Sequence, residues 1–330
     1  MGYFFTNTLS TQKQKYADWK ESVSLNKDGV TIWDIKNNLQ LNHEPNAAVN
    51  VKQLVAADAT AGNGNVLYYK PSTQTSGDFV QVTYTNLDNS YIIDSNGQKQ
   101  KIAKIVRTFS DLAKSASASS ISFKKGILSN DWRQPNLAGD DSTALLINTD
   151  PANGAMYLNA LGITVEDHYY DENGNQIDGD GGYYVLSSIN NNDGFDNHHE
   201  HVKAPNNDMS AIAVHGSSVS VQSDGSLSSN IGNSLQDVHS DGSYSDSNNT
   251  STFNNWDNVS SDYFYFGSGL MQYTSNPGKL RFYTGMSGEN SNDDENAFWF
   301  TINTILPKVP VNTEVHYHYN TSQAYLLTPL

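Results

Sequence analysis

The 330-residue sequence contains no cysteine, which excludes thiol catalysis, thiolate metal sites and disulfide bonds. This absence favours an exported protein over a cytosolic one. No run of about 18 apolar residues occurs, so the sequence predicts no membrane-inserted segment. The first residues lack a basic stretch followed by an apolar stretch, so we do not expect them to act as a secretion signal.

Basic residues are also scarce. The chain has 19 Lys and Arg against 35 Asp and Glu, which gives a net charge of −16. This balance argues against a nucleic-acid partner and against an anionic membrane surface, since both need clustered Lys and Arg. Hydrophobic residues make up only 37% of the chain, but 11% of the residues are aromatic. A disordered acidic chain would be poor in aromatic residues, so the composition indicates a folded protein with long polar loops.

Short segments rich in aromatic and β-branched residues alternate with turn residues from about residue 49 onward. This pattern predicts an antiparallel β-sandwich or barrel with few helices. Asn-Gly pairs within 94–98 and 171–175 predict two β-hairpins. A helix is predicted at 10–25, and a weaker one at 31–41. The predicted strands are 66–70, 78–87, 101–112, 120–128, 144–148, 162–171, 183–189, 210–222, 262–273, 279–285 and 297–306.

Two segments dense in Asn, Asp, Ser and Gly, 189–208 and 223–258, are predicted to be long loops. The first carries His198, His199, Glu200 and His201, whose side chains are of the kinds that bind transition metals. The His-Glu-x-x-His spacing of a helical zinc site is absent. We therefore interpret these histidines as bystanders in a solvated loop.

Two other patterns could hold a metal ion. Residues 171–182 begin like a calcium loop, but Gln176 and Gly182 stand where an EF-hand needs Gly and Glu, so a hairpin turn is preferred. His316 and His318 alternate on one face of a strand-like tail, where we expect solvent rather than metal.

The sequence offers no recognisable catalytic group, so we predict that the protein is not an enzyme. Sandwich glycanases need two carboxylates across a cleft, and the nearest pair, Glu166 and Asp167, is adjacent in sequence, which is the wrong spacing. No Gly-x-Ser-x-Gly elbow is present. A polysaccharide-cleaving enzyme on a β-sandwich and a structural head for protein–protein adhesion remain the alternatives.

Trp132 and Trp256 lie in polar, turn-rich surroundings. An exposed tryptophan can stack on a sugar ring while nearby Asn and Asp bond its hydroxyl groups, as in apolar pockets with a few convergent polar groups. The alternative is that each tryptophan caps the end of the sandwich core.

Ten stretches, in order, resemble the glucan-binding protein C family, which includes the variable domain of the antigen I/II adhesins of Gram-positive bacteria. They are HEPNA (43–47), VTYTNLDNSYI (82–92), KIAKIVRTF (101–109), NTDPANG (148–154), HYYDENGNQI (168–177), SSIN (187–190), AVHGSSV (213–219), WDN (256–258), FGSGL (266–270) and FWFTINTILP (298–307). The resemblance implies a mainly β fold, a lectin-like antiparallel β-supersandwich with a few short helices and long loops.

The resemblance also implies that the chain is divided into three parts. Residues 1–40 resemble a helical stub of a stalk with the segment leading into the domain. Residues 41–310 would form the adhesin domain, and residues 311–330 an exit linker toward a proline-rich stalk.

By the same resemblance, the domain would be a monomeric head on a wall-anchored, extracellular surface protein. It would bind α-glucan, another glycan or a host glycoprotein without catalysis, and a calcium ion would lie near its cleft. Ile189 departs from the leucine usual in the family, and ligand choice is a property of loops. The ligand-binding candidates are Trp132, Trp256, Asp257 and Asn190, and the metal candidates are Glu200, Asn190 and Asp193.

Overall fold

A computed structural model describes most of the region from residue 36 to residue 307. The described residues are 36–61, 66–71, 75–114, 144–158, 160–179, 181–191, 198–206, 208–229, 257, 264–274, 278–285 and 297–307. The predicted helix at 10–25, the predicted strand at 120–128, His316 and His318 lie outside these residues. No helix in the described part of the chain is long and apolar enough to cross a membrane.

The largest element is a nine-stranded antiparallel sheet, in which one short strand pairs off the main path. In spatial order its strands are β16 (Val219–Val221), β17 (Leu227–Ser229), β14 (Glu200–Lys203), β19 (Lys279–Thr284), β11 (Ala160–Tyr170), β8 (Lys104–Lys114), β5 (Thr75–Thr85) and β2 (Ala48–Gln53), with β12 (Gln176–Ile177) beside β11.

Three smaller antiparallel sheets complete the described fold. The five-stranded sheet has the order β20 (Ala297–Phe300), β10 (Ala155–Leu158), β9 (Ala144–Asn148), β4 (Val66–Pro71) and β3 (Ala57–Ala61). The two three-stranded sheets are β13 (Tyr183–Leu186), β18 (Gly269–Tyr273) and β15 (Met209–Ala213), and β1 (Leu39–Gln40), β6 (Tyr91–Ile93) and β7 (Lys99–Lys101).

One hydrophobic core joins the two large sheets. Phe282 of β19 stacks on Phe300 of β20, with ring centroids 3.9 Å apart. Val82 and Phe109 from the large sheet and Leu145 from the five-stranded sheet are fully buried in the same cluster. The sheets are open rather than closed on themselves. The predicted mainly β, antiparallel sandwich is therefore confirmed, and the barrel alternative is not.

Several family-like motifs turn out to build the scaffold. In HEPNA, the buried Glu44 carboxylate accepts the backbone N–H groups of Asp88 and Asn89, at 2.7 and 2.8 Å. In NTDPANG, Asp150 caps the 3-10 helix Pro151–Asn153 by accepting from the N–H of Ala152. These residues satisfy backbone groups that would otherwise lack partners at strand ends.

Gly154 ends the capped 3-10 helix with a φ of +67°. A Cβ atom there would lie 1.8 Å from the carbonyl oxygen of Phe300 in β20. Both the backbone conformation and the close approach require glycine at this position.

A buried ion pair links β8 to β11. The Arg107 guanidinium donates to both carboxylate oxygens of Asp167 at 2.8 Å and to the carbonyl of Pro151 at 3.0 Å. Both side chains are 1% exposed. Asp167 is thereby neutralised inside the protein, while Glu166 bonds His168 and Lys279 instead. The adjacent carboxylates thus have separate partners, as the sequence spacing indicates.

Local predictions succeeded where a segment is uniformly apolar or carries strong turn residues. Strand β9 has the predicted bounds, and both Asn-Gly turns join antiparallel pairs, with Gly97 at φ +77° and Gly174 at φ +83°. In the second turn, the Asp171 carboxylate accepts the N–H groups of Asn173 and Asn175, as expected for a hairpin rather than a calcium loop.

Three predictions of secondary structure were wrong in detail. The weaker predicted helix at 31–41 contains strand β1 in its described part. The predicted strand 210–222 divides into β15 and β16, because a turn intervenes with Gly216 at φ +83°. The predicted strand 262–273 begins with the 3-10 helix Phe264–Gly267 before β18.

Candidate functional site

The structure brings together three of the predicted site residues, Asn190, Glu200 and Asp257. Asn190 lies in the segment that follows β13, and Glu200 is the first residue of β14. Asp257 comes from a distant part of the chain. Ser188 and His198 complete the group, which we call the Asn190 cluster. The other predicted site residues, Trp132, Asp193 and Trp256, lie outside the described residues.

Asn190 and Glu200 are held together by reciprocal bonds. The N–H of Glu200 donates to the carbonyl of Asn190 at 2.9 Å, and the N–H of Asn190 donates to Oε2 of Glu200 at 2.7 Å. Asn191 and His199 form an antiparallel bridge beside them. Because β14 pairs with β19 in the large sheet, these bonds fix the Asn190 segment to the end of that sheet.

Asp257 is bound to the same segment by two side chains. The Ser188 hydroxyl donates to Oδ1 at 2.6 Å, and the Asn190 amide nitrogen donates to Oδ2 at 3.1 Å. The same amide nitrogen lies 3.4 Å from Oε2 of Glu200. One amide group therefore bonds two carboxylates from remote parts of the sequence.

Ser188 has a φ of +65°, a conformation that costs a non-glycine residue about 1 kcal/mol or more. Backbone strain of this kind persists where surrounding contacts over-determine it, and it is common at binding sites. The hydroxyl bond to Asp257 is the contact that glycine could not make. Ser188 was not singled out from the sequence, although it lies within the SSIN stretch.

The surroundings of Glu200 disfavour a charged carboxylate. Glu200 is 5% exposed, and burial raises the pKa of its carboxyl group to about 7. The bond from His198 at 3.1 Å and the N–H of Asn190 lower the pKa, while the nearby Asp257 charge raises it. Apart from burial, the leading contributions to this pKa come from His198, Asn190 and Asp257, in contrast to Asp167 with its guanidinium partner.

The predicted loop at 189–208 is wrong in its described part, because Glu200–Lys203 is strand β14 within the large sheet. His198 and His201 are buried, so they are not solvated bystanders. Leu227–Ser229, in the second predicted loop, is strand β17 and is also buried.

Bonds to distant backbone groups explain why so polar a stretch is buried. Nε2 of His199 lies 2.9 Å from the carbonyl of Ser229, and Nε2 of His201 lies 3.1 Å from the carbonyl of Gly285. Ser228 accepts from His199 and donates to the carbonyl of Glu200. A sequence window shows the polar side chains but not these partners, some of which lie more than 80 residues away.

The Asn190 cluster contains oxygen-bearing side chains of the kinds that bind hard cations. Carboxylate and amide oxygens are the ligands that calcium prefers, in sets of about six to eight. Glu200 and Asp257 carry carboxylates of this kind, whereas Asn190 presents its amide nitrogen to both. Within the described ranges, no three His, Asp or Glu side chains are grouped as a metal site. Calcium would therefore need further oxygen ligands from water or other residues.

The described fold is an open antiparallel β-sandwich with a polar cluster at the end of its largest sheet. The sequence model of the glucan-binding protein C family matches residues 23–303, and the chain belongs to that family. It is thus a domain of a glucan-binding and adhesin family. A search of curated protein sequences found no significant match.

Solved structures share the fold at low sequence identity. Glucan-binding protein C of Streptococcus mutans, described as mediating sucrose-independent and sucrose-dependent adherence, is 19% identical with a TM-score of 0.58. The alignment covers 92% of this chain and 86% of that one.

The adhesin domain of PrgB from Enterococcus faecalis is 18% identical with a TM-score of 0.54, covering 88% of this chain and 96% of that one. The same domain bound to DNA is 17% identical with a TM-score of 0.50, covering 86% and 96%. The predicted absence of a nucleic-acid partner therefore stays a prediction.

Proposed function

We propose that the domain is a non-catalytic adhesin head that binds α-glucan at the Asn190 cluster with the support of calcium. The observation that carries this proposal is the Asn190 amide between two carboxylates, one of them buried beside an imidazole rather than a guanidinium. A bound cation would offset the cost of that buried charge.

Calcium would bond the Glu200 and Asp257 carboxylates, and the Asn190 amide, which presents its nitrogen to both, would have to rotate to offer its oxygen. Asp193, close to Asn190 in sequence, is the further candidate ligand. When bound, calcium would supply positive charge that attracts the hydroxyl oxygens of a sugar. The chain itself supplies the orientation, since Ser188 fixes Asp257 and the strand β14 fixes Glu200.

The tryptophans are the proposed apolar wall of the glycan site. Trp256 precedes Asp257, whose carboxylate is bound by Ser188 and Asn190, so one flanking residue of Trp256 belongs to the cluster. Trp132 is the second candidate. Stacking on sugar rings combined with polar contacts to hydroxyl groups is the recognition chemistry expected for glucan. A host glycoprotein would present similar groups.

The carboxylates argue for binding rather than hydrolysis. Asp167 is neutralised by Arg107, and both oxygens of Glu200 are bonded, one to His198 and one to the N–H of Asn190. A glycosidase needs one carboxylic acid and one carboxylate facing the substrate bond. Failure to release reducing ends from dextran would support this reading, and their release would favour the enzyme alternative.

A structural head would act without any sugar ligand and would need a sizeable apolar surface. In the described part of the chain, the exposed large hydrophobic residues are Leu54, Val221 and Leu306. Leu54 follows β2 and Val221 ends β16, and these are the opposite edge strands of the large sheet, so the two side chains do not share one apolar patch.

Family membership and the absence of cysteine support display of a monomeric head on the cell wall. The acidic charge of −16 favours a neutral glycan over nucleic acid. Since the PrgB adhesin domain has been seen with DNA, an oligonucleotide is the control ligand of choice.

The test is a titration of the domain with dextran, a glycan panel and an oligonucleotide, in calcium and again in EDTA. We expect dextran binding in calcium, a loss of at least tenfold in EDTA, and the same loss for Glu200→Gln. Glu166→Gln, on a half-buried carboxylate of the same sheet, is the matched control and should bind normally. Binding that survives both EDTA and Glu200→Gln would contradict the proposed role of the cluster.

A further inference from the structure

We propose that a lysine-rich end of the fold binds an anionic polysaccharide, a polymer with carboxylates on alternate sugars. Lysine and tyrosine side chains from two neighbouring hairpins and from the start of β8 make up this surface, which we call the lysine patch. Its members are Tyr91, Lys99, Lys101, Lys104 and Tyr170. The patch is separate from the Asn190 cluster, and its binding does not depend on the proposed function.

The strand register places the five side chains in two groups. Lys99 and Lys101 are alternate, exposed residues of β7, so their side chains share one face of the three-stranded sheet. Tyr91 of β6 is the cross-strand partner of Lys101 and lies on that face as well. In the large sheet, Lys104 is the first residue of β8 and pairs with Tyr170, the last residue of β11.

Two of the lysines lie over tyrosine rings. Nζ of Lys99 is 4.1 Å from the ring centroid of Tyr91, and Nζ of Lys104 is 3.8 Å from the ring centroid of Tyr170. Among the described residues, neither ammonium group has a carboxylate partner. A ring orients an ammonium group without neutralising its charge. Both charges are therefore available to an anionic ligand.

Lys101 connects the two groups. Its Nζ lies 3.8 Å from the carboxylate of Glu172 and 3.9 Å from that of Asp88, whose side chains are 69% and 56% exposed. Ion pairs as exposed as these are weak, so a ligand can replace them. The N–H of Ala103 donates to the carbonyl of Tyr170 at 2.8 Å. The segment after β7 is thereby bound to the end of β11.

The carboxylates of the same hairpins set a limit on the charge density of the ligand. Asp94 and Asp171 accept backbone N–H groups within their own turns, and Asp88 and Glu172 lie near Lys101. They oppose a polyanion as dense as duplex DNA, which carries one charge per about 1.7 Å of its axis. A polymer with carboxylates on alternate sugars is far less dense, and its rings can pack on partly exposed tyrosines.

The lysine patch lies at the opposite end of the large sheet from the Asn190 cluster. Glu200 pairs with Thr284 of β19, and the residue before Thr284 pairs with Gly162 near the start of β11, whereas Tyr170 ends β11. Eight residues separate Gly162 from Tyr170, which is about 26 Å at roughly 3.3 Å per residue. Exposed charges more than about 8 Å apart are largely screened at physiological salt. The acidic cluster therefore does not prevent an anion from binding to the patch.

The experiment measures binding of hyaluronan oligosaccharides to the full chain by calorimetry, in EDTA so that the proposed calcium site is empty. The methyl ester of hyaluronan has the same sugars without the charge and serves as the matched ligand. At low salt we expect hyaluronan to bind, the ester to bind about tenfold more weakly, and the hyaluronan affinity to fall roughly threefold or more between about 50 and 200 mM salt.

The double variant Lys99→Gln and Lys104→Gln should weaken hyaluronan binding by about tenfold, since it removes the two ammonium groups that lie over rings. Lys52→Gln is the control, because Lys52 is an exposed lysine of the edge strand β2 and should be dispensable. No hyaluronan binding by the wild type would overturn the proposal, and so would undiminished binding by the double variant.

Two measurements on the wild type alone keep the proposal testable if the double variant does not fold. Equal binding of hyaluronan and its methyl ester would overturn the proposal, because the patch would then not recognise the carboxylates. An oligonucleotide that binds more tightly than hyaluronan and displaces it would also overturn it, in favour of nucleic acid. Weaker binding of the oligonucleotide and of the ester would support the anionic polysaccharide.

Discussion

Two buried carboxylates in the same nine-stranded sheet, Asp167 and Glu200, have opposite surroundings. Asp167 receives both hydrogen bonds of a bidentate guanidinium from the neighbouring strand. Glu200 receives bonds from an imidazole, an amide and a backbone N–H, and its pKa is raised to about 7. The guanidinium pair holds two strands together, whereas Glu200, whose side-chain partners are an imidazole and an amide, is the proposed cation ligand.

The largest effect should come from breaking the paired carboxylate. Asp167→Asn leaves the Arg107 charge buried without a counter-ion, so we expect a loss of about 3–5 kcal/mol in the free energy of unfolding. Urea denaturation measures it. Lys101→Met removes exposed ion pairs and is the control, with almost no expected change. Similar urea midpoints for the two variants would contradict the claim that the Arg107–Asp167 pair stabilises the fold.

Removal of the Glu200 charge should change the stability in the opposite direction. In EDTA at pH 8, Glu200→Gln should be more stable than the wild type by roughly 2–3 kcal/mol, from a pKa of about 7 against 4.5 unfolded. A raised folded pKa means that protonated Glu200 stabilises the fold at low pH, and this stability is lost as pH rises through 7. The gap should therefore vanish near pH 4, and an equal gap at both pH values would contradict the assignment.

Ser188 tests whether the position of Asp257 matters for ligand binding, because its hydroxyl group donates to the Asp257 carboxylate. Ser188→Ala loses the bond to Asp257 but retains the strained φ of +65°, whereas Ser188→Gly loses the bond and relieves the strain. We expect the glycine variant to be more stable than the alanine variant by about 1 kcal/mol. Both should weaken calcium-dependent dextran binding equally. Intact binding in both would show that Ser188 does not position Asp257.

The smallest effect concerns the partly buried contact between Glu166 and His168. The carboxylate at 2.6 Å raises the pKa of His168, so the contact stabilises the fold below pH 6.5 and is lost as pH rises through the folded pKa. His168→Gln should cost less than about 1 kcal/mol at pH 5.5 and nothing at pH 9. Urea midpoints at the two values measure it, and a cost that grows with pH would contradict the sign.

Local patterns predicted the parts of the fold that depend on local chemistry. The apolar run Ala144–Asn148 is a buried strand, and the Asn-Gly pairs form hairpin turns, because adjacent residues decide both. The HEPNA and NTDPANG stretches supported the family resemblance, and their carboxylates cap backbone groups of the scaffold.

The stretch from His198 to His201 could not be interpreted from local patterns. Its polarity indicates a solvated loop, but its side chains are buried by bonds to Ser229 and Gly285, which only the folded sheet brings near. Asn190, Glu200 and Asp257 were selected through the resemblance, and the structure brings them together. Ser188 was missed because its role depends on a backbone conformation and on a partner 69 residues away.

The most direct measurement of the central claim is a calcium titration of the wild type and of Glu200→Gln by calorimetry at pH 7, in two buffers of different ionisation enthalpy. Since the pKa of Glu200 is about 7, the carboxyl is partly protonated, and calcium should displace a fraction of a proton on binding. We predict one site with proton release in the wild type and none in Glu200→Gln. Equal calcium binding by both proteins, or no binding by the wild type, would contradict the claim that the Glu200 carboxylate is a cation site.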